Sequence, residues 1–303
     1  MTLVRSLWSA GVCGSAVLLA SVVACSHGSR DDGVGAIKVT GSDTMVNLAN
    51  AWREAFEAGH PDISLQVKGG GSGVGIAALC AGKIDVATAS RPMKPAEIDT
   101  ARQKTGKEPK EFVVGRDALA IYINKQNPLN AISLAELAEI YGEEGKLLAW
   151  SDLELDYAAC SGGKIIPVGR QNSSGTYAYF KEAVLGEKRE YRQGLTSQSG
   201  SSDVVSLISK TPCAIGYSGM GYYKADLVKM VPVAKEKGGP AISPSVESAL
   251  DGTYPISRPL YLYTLGEPSG AVQEFIQWVR SDEGQKTVEE QGYVPLPKEP
   301  AAQ

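Results

Sequence analysis

The chain has 303 residues, with 30 Lys and Arg against 34 Asp and Glu, a formal net charge of −4 and 43% apolar residues. That is ordinary for a globular protein and long enough for two α/β domains. The mild acidity and the lack of a basic cluster make the chain a poor nucleic-acid binder, and any bound anion must be held by local geometry rather than by net charge.

Residues 1–24 read as a lipoprotein signal peptide. Arg5 supplies a positive start, and the densest apolar stretch, Ala16 to Ala24, has the size of a signal core and is short for a membrane span. Small residues before the cysteine in Val22-Val23-Ala24-Cys25-Ser26 resemble a bacterial lipobox. That resemblance implies cleavage before Cys25 and lipidation of its thiol; the alternative is an ordinary secretory signal with an incidental cysteine. Residues 25–35 are polar and read as a tether. No later segment approaches the roughly 18 consecutive apolar residues of a span, so membrane contact is expected only through the lipid anchor.

From here the pattern is α/β. Ile37-Lys38-Val39-Thr40 alternates as a strand, and Met45, Leu48, Ala49, Trp52 and Phe56 recur at helical spacing up to a stop at Gly59. Ile63 to Val67 alternates again, Val74 to Ala81 reads as a helix ended by Gly82, and Ile84 to Ala87 is a third strand. This β-α-β-α-β rhythm predicts a parallel sheet covered on both faces, with ligands at the carboxyl ends of its strands. Ala118 to Asn124 is a further strand, and Ser133-Leu134-Ala135-Glu136 has the spacing of a capping box opening a helix to about Tyr141. A second α/β set follows: a strand over Lys164–Val168, a helix carrying Tyr177, Phe180 and Val184, a helix from about Ser202, and a strand over Ala214–Tyr217. Leu260 to Thr264 is a late strand, before two helices over about 270–280 and 282–291.

Three cysteines remain beyond the signal: Cys80, Cys160 and Cys213. An exported protein can hold a disulfide. Cys80 falls on the apolar side of a helix and reads as a core residue. Cys160 and Cys213 each precede a predicted strand, so Cys160–Cys213 is the favoured pair, although spacing alone leaves the connectivity open. No cysteine or histidine spacing matches a common zinc pattern, and neither a metal nor a cofactor is expected.

Three turns stand out. Thr40-Gly41-Ser42-Asp43-Thr44, Gly69-Gly70-Gly71-Ser72-Gly73 and Arg170-Gln171-Asn172-Ser173-Ser174-Gly175-Thr176 each place glycine and hydroxyl residues before a helix. A helix start leaves N–H donors without partners and adds positive potential, which suits an anion. Helix capping alone explains any one of them. The glycine run is harder to explain by capping, because glycine weakens helix and strand and its benefit is close backbone approach. The run lacks the Gly-Lys-Ser/Thr ending of a nucleotide P-loop. Arg170 adds a planar fork for a tetrahedral oxyanion; its alternative role is a structural ion pair.

In combination, Gly41-Ser42-Asp43-Thr44, the glycine run, Ile84-Asp85-Val86-Ala87-Thr88-Ala89-Ser90-Arg91 and Arg170 through Thr176 resemble the PstS family, the phosphate-binding proteins of phosphate ABC transporters. Ala214-Ile215-Gly216-Tyr217, Tyr254-Pro255-Ile256, Glu283-Gly284-Gln285 and Gly292-Tyr293-Val294-Pro295-Leu296 support the resemblance, which covers about residues 36–296. It implies a two-lobed type II periplasmic-binding fold of class α/β. Each lobe would be a central, mostly parallel sheet flanked by helices, with two crossover strands near 115–120 and 254–260. Lobe I would be 36–117 with 256–303, and lobe II 118–255.

By the same resemblance, phosphate would be bound by Thr44, Met45 (through its N–H), Ser72, Arg91, Arg170, Ser174, Gly175 and Thr176. Some members carry an aspartate where this chain has Arg91, and a carboxylate there accepts a hydrogen bond from protonated phosphate. Arg91 would instead add a second cation, or point outward to a nearby acid. Asp43 is then a candidate replacement acceptor, with helix capping as its other role. The implied partners are inorganic phosphate and the permease subunits of an ABC importer, for a monomer exported to the periplasm or cell exterior. Two other classes stay open on the same fold, a secreted phosphatase-like enzyme and a lipid-anchored anion sensor. The enzyme class lacks a nucleophile with an evident base, since His27 and His60 fall outside the three turns.

Overall fold

The computed structural model describes residues 36–297. The expected signal peptide, the lipidation site Cys25 and the tether lie outside the described residues. In chain order the elements are β1 (Ile37–Gly41), α1 (Val46–Gly59), β2 (Leu65–Lys68), α2 (Ser72–Cys80), β3 (Val86–Ala89), α3 (Pro95–Thr105) and β4 (Pro109–Asn124). Then come β5 (Ile132–Ser133), α4 (Leu134–Tyr141), β6 (Ile166–Arg170), α5 (Gly175–Phe180), β7 (Thr196–Gln198), α6 (Ser201–Lys210) and β8 (Ala214–Gly219). The rest are β9 (Val228–Val231), β10 (Val233–Ala234), β11 (Ala241–Ile242), α7 (Val246–Leu250), β12 (Ser257–Leu265), α8 (Gly270–Arg280) and α9 (Asp282–Glu290).

The main sheet runs β2-β1-β3-β12-β4-β8-β6-β7, with β9 also paired to β4. Its two ends are parallel: β1 with β2 and β3, and β6 with β7 and β8. The middle is antiparallel, because β12 pairs with β3 and β4, and β4 with β8. β4 is the long central strand. Residues up to Ala118 pair with β12, and from Leu119 onward with β8. Three apolar cores form around it. One gathers Ala118–Ile123 with Tyr141, Trp150, Phe180 and Tyr217; a second holds Leu48, Trp52, Phe56, Phe275 and Val279; a third holds Ile76, Leu79, Cys80 and Ala101.

The local signals work as their chemistry demands. Leu48, Ala49, Trp52 and Phe56 all face inward on α1, and Trp52 donates its indole N–H to Gly284 O at 3.0 Å. Burial of a side chain such as Leu48 or Phe56 is worth about 1.5–3 kcal/mol. Ser133 accepts the Glu136 N–H at 3.2 Å while Glu136 accepts the Ser133 N–H at 2.9 Å, the reciprocal capping box of α4. Cys160 and Cys213 form a disulfide, and Cys80 is buried. Among the described residues, no helix is long and apolar enough to cross a membrane.

Candidate functional site

The three turns follow β1, β2 and β6, and converge. Asp43, in the first, accepts the Gly70 N–H of the second on Oδ1 at 2.7 Å. Its other oxygen, Oδ2, accepts Arg170 Nη2 at 3.2 Å, from the strand that leads into the third. Ser173 in the third turn donates to Gly70 O at 3.2 Å and accepts the Gly73 N–H on its carbonyl at 2.9 Å. Gly71 makes this approach feasible. Its φ of +101° suits glycine, and a Cβ there would stand 2.7 Å from Ser173 O.

Thr44 and Thr176 meet with their Oγ1 atoms 2.7 Å apart. Ser72 Oγ accepts the Ser90 N–H at 3.0 Å and lies 3.3 Å from Ser90 Oγ, which also accepts from Ser42 Oγ at 3.0 Å. Gly175 presses against this group, since a Cβ on it would fall 2.4 Å from Ser72 Oγ. Ser174 caps α5, accepting the N–H groups of Thr176 and Tyr177 at 3.1 and 3.4 Å. A hydroxyl that accepts in this way keeps its proton to donate elsewhere. The N–H groups of Ser72 and Gly175, at the first helical positions of α2 and α5, have no intrahelical acceptor.

Arg170 is buried within this group. Nη1 donates to Ser201 Oγ and Nη2 to Ser199 O, both at 2.8 Å, besides the pairing with Asp43. Among the described residues, its Nε is one of four buried side-chain polar atoms with no hydrogen-bond partner. Burial pulls the Arg170 pKa down from its ordinary value, and Asp43 opposes that pull. Arginine keeps its proton in either case. A buried cation with one donor to spare, ringed by hydroxyls and helix starts, can take an oxyanion.

Two sequence expectations meet different geometry. The Met45 N–H donates to Ser42 O at 3.0 Å, because the residues form a tight turn that uses this donor. Arg91 pairs with an acid: Nη1 and Nη2 donate to Glu97 at 2.8 and 2.7 Å, and Nη1 also donates to Pro92 O, while the side chain stays mostly buried with Nη2 beside Gly73. Asp43 is no cap of α1, whose N-cap is Met45 without a side-chain bond; its carboxylate ties the glycine turn to Arg170 instead.

The second buried cation beside the hydroxyls is Arg258, which sequence reasoning missed. It extends from β12 and pairs with Asp117 of β4 at 2.9 Å, and its Nη2 donates to Thr176 Oγ1 at 2.8 Å. Burial pushes the Asp117 carboxyl up, while Arg258 and the Met220 N–H pull against it. The one available signal was charge set in or beside apolar strand runs: Arg116 and Asp117 within Val113–Ile123, and Arg258 just before Leu260–Leu262. Two carbonyls of this region are also anchored: Asp43 O accepts the Tyr222 hydroxyl at 2.7 Å, and Thr44 O accepts that of Tyr293.

Comparison with known proteins follows the same lines. Residues 28–283 match the family described as a PBP superfamily domain. The phosphate-binding protein PstS of Pseudomonas aeruginosa is 35% identical, covering 95% of this chain and 92% of that protein. Protein SphX of Synechococcus elongatus is 34% identical, covering 86% of this chain and 77% of its own length. A solved structure from Clostridium perfringens, assigned as a phosphate ABC transporter substrate-binding protein and holding bound phosphate, superposes with a TM-score of 0.76. It is 27% identical and covers 87% of this chain and 100% of its own.

Proposed function

The chain belongs to the PBP superfamily and, within it, to the PstS family of phosphate-binding proteins; from that premise we propose that it holds inorganic phosphate where its three turns meet and delivers it to an ABC importer. The family is one of substrate-binding transport proteins rather than enzymes. One observation carries the reading: Arg170 is buried, locked by Asp43, Ser199 and Ser201, and leaves Nε without a protein partner. The proposed donors are Thr44, Ser72, Arg170, Ser174, Gly175 and Thr176. Met45 and Arg91 are left out, because Ser42 O and Glu97 engage them. Asp43 serves as the positioning partner of Arg170.

Hydrogen bonds to a charged group contribute about 1.5–3 kcal/mol each. Six such donors, after the costs of desolvation and closure, leave about −8 kcal/mol, a micromolar site. Net acidity is no obstacle to binding of this kind. For the whole protein we propose export, a lipid anchor at Cys25 facing the periplasm or cell exterior, and a monomer that docks on permease subunits. Calorimetric titration of the purified protein with phosphate tests the binding. One site per chain is expected, and Arg170→Ala should weaken it about 100-fold or more, the scale of a lost charge-assisted contact with a buried partner left unpaired. A flat titration with phosphate, arsenate and sulfate alike would remove the anion reading.

A further inference from the structure

Arg258 and Asp117 take no part in the donor set above, yet both are fully buried and stand directly opposite each other on β12 and β4. Each side of the Arg258 guanidinium is committed. Nε and Nη2 donate to Asp117 Oδ2 at 3.3 and 2.9 Å, and Nη1 donates to Ser90 O at 3.0 Å. The Tyr179 ring covers it at 5.3 Å. Tyr179 and Thr176 lie three residues apart on α5 and so share a face. Asp117 is fixed in turn by the Met220 N–H on Oδ1 at 3.2 Å.

Nη2 also reaches two hydroxyls from opposite ends of the sheet: Thr176 Oγ1 at 2.8 Å and Thr44 Oγ1 at 3.4 Å. A guanidinium only donates, so the oxygens it touches act as acceptors toward it and their protons must go elsewhere. With the two Oγ1 atoms 2.7 Å apart, one proton closes the bond between them and the other is left for an outside acceptor. We propose that Arg258, held by Asp117, is a positioning residue of the anion site that sets the Thr44–Thr176 hydroxyl pair as a donor to the ligand. This inference rests on the phosphate reading. Because Arg258 reaches both hydroxyls from a strand at the middle of the sheet, it also ties the central strands to the approach of the first and third turns.

A purely structural ion pair would behave differently. Replacing both members of a buried pair with neutral residues of similar shape is often tolerated, whereas removing one leaves a stranded charge. The test therefore uses the double variant Asp117→Asn with Arg258→Met, together with Arg258→Lys, Thr176→Val and the combination of those last two, all titrated with phosphate beside the wild type. The double variant is expected to melt within a few degrees of the wild type and to bind phosphate about 30-fold more weakly, within the range of one charge-assisted bond. Arg258→Lys should retain part of the affinity. Thr176→Val should cost less in the Arg258→Lys background than alone, because both changes act on one hydroxyl. A double variant that melts normally and binds like the wild type overturns the proposal. If the double variant does not fold, strict additivity of Arg258→Lys and Thr176→Val overturns it instead. A wild type that binds no phosphate removes the phosphate reading, and this inference with it.

Discussion

Arg170 with Asp43 and Arg258 with Asp117 form two buried pairs around the same hydroxyls, with no net charge between the four side chains. An anion added there meets oriented donors rather than an excess of positive charge, which fits a chain of net charge −4. Arg91 serves a different purpose in its pair with Glu97. Burial raises the Glu97 carboxyl, but the Arg91 bonds and the Lys94 N–H outweigh it and hold the group below the ordinary glutamate value. A carboxyl depressed in the folded state contributes stability that is complete above its unfolded pKa, about 4.3, and is lost as pH falls through the folded value. Glu97→Gln should therefore lower the unfolding free energy at neutral pH by about 1 kcal/mol, with the deficit shrinking near about pH 3. Urea unfolding at both pH values measures it; a deficit that does not change with pH would contradict the assignment. Arg170 stood out in the sequence because Ser174, Gly175 and Thr176 follow it in one short motif, whereas its bonding partners Asp43, Ser199 and Ser201 lie 29 or more positions away. Arg258 did not, since Asp117 lies 141 positions away and only strand register brings the two together.

Helices α2 and α5 carry the contact between the second and third turns. Gly73 N–H bonds to Ser173 O, and Gly175 lies against Ser72 and Ser90. Gly175→Ala would drive a methyl carbon to 2.4 Å from Ser72 Oγ, a position that real contacts do not occupy. The two helices must part to accept it. Phosphate affinity should fall about tenfold or more, as one donor is lost, and the overpacking should lower the melting temperature by about a few degrees; calorimetry and a thermal melt read the two quantities. Unchanged affinity would mean that the starts of α2 and α5 do not close on the anion. At this scale α1, α4, α8 and α9 were legible from apolar spacing and caps. The first half of β4 was not, because Pro109-Lys110-Glu111 carries no apolar run and is held by pairing with β12. Helix α3 also gave no stripe to read, since Ala101 is its one buried residue. Strands β7 and β9 to β11, two to four residues each, exist through long-range pairing.

Across the whole molecule, one mixed sheet joins parallel sets at its two ends through β12 and β4, and two of the three turns come from one end while the third comes from the other. The β-α-β rhythm predicted the parallel sets. The antiparallel middle depends on β12 returning from late in the chain to pair with β3 and β4. That return brings Thr44 against Thr176, 132 residues away, and places Asp43 on Arg170. The phosphate reading makes Arg170 Nε a ligand donor inside this assembly. Nuclear magnetic resonance of the nitrogen-15-labelled protein observes arginine Nε–H groups directly, with Arg170→Lys identifying the signal. On titration with phosphate, the Arg170 Nε–H resonance is predicted to move downfield and saturate at one equivalent, as the donor gains a charged acceptor. Saturable phosphate binding that leaves this resonance in place would rule out Arg170 Nε as a ligand donor.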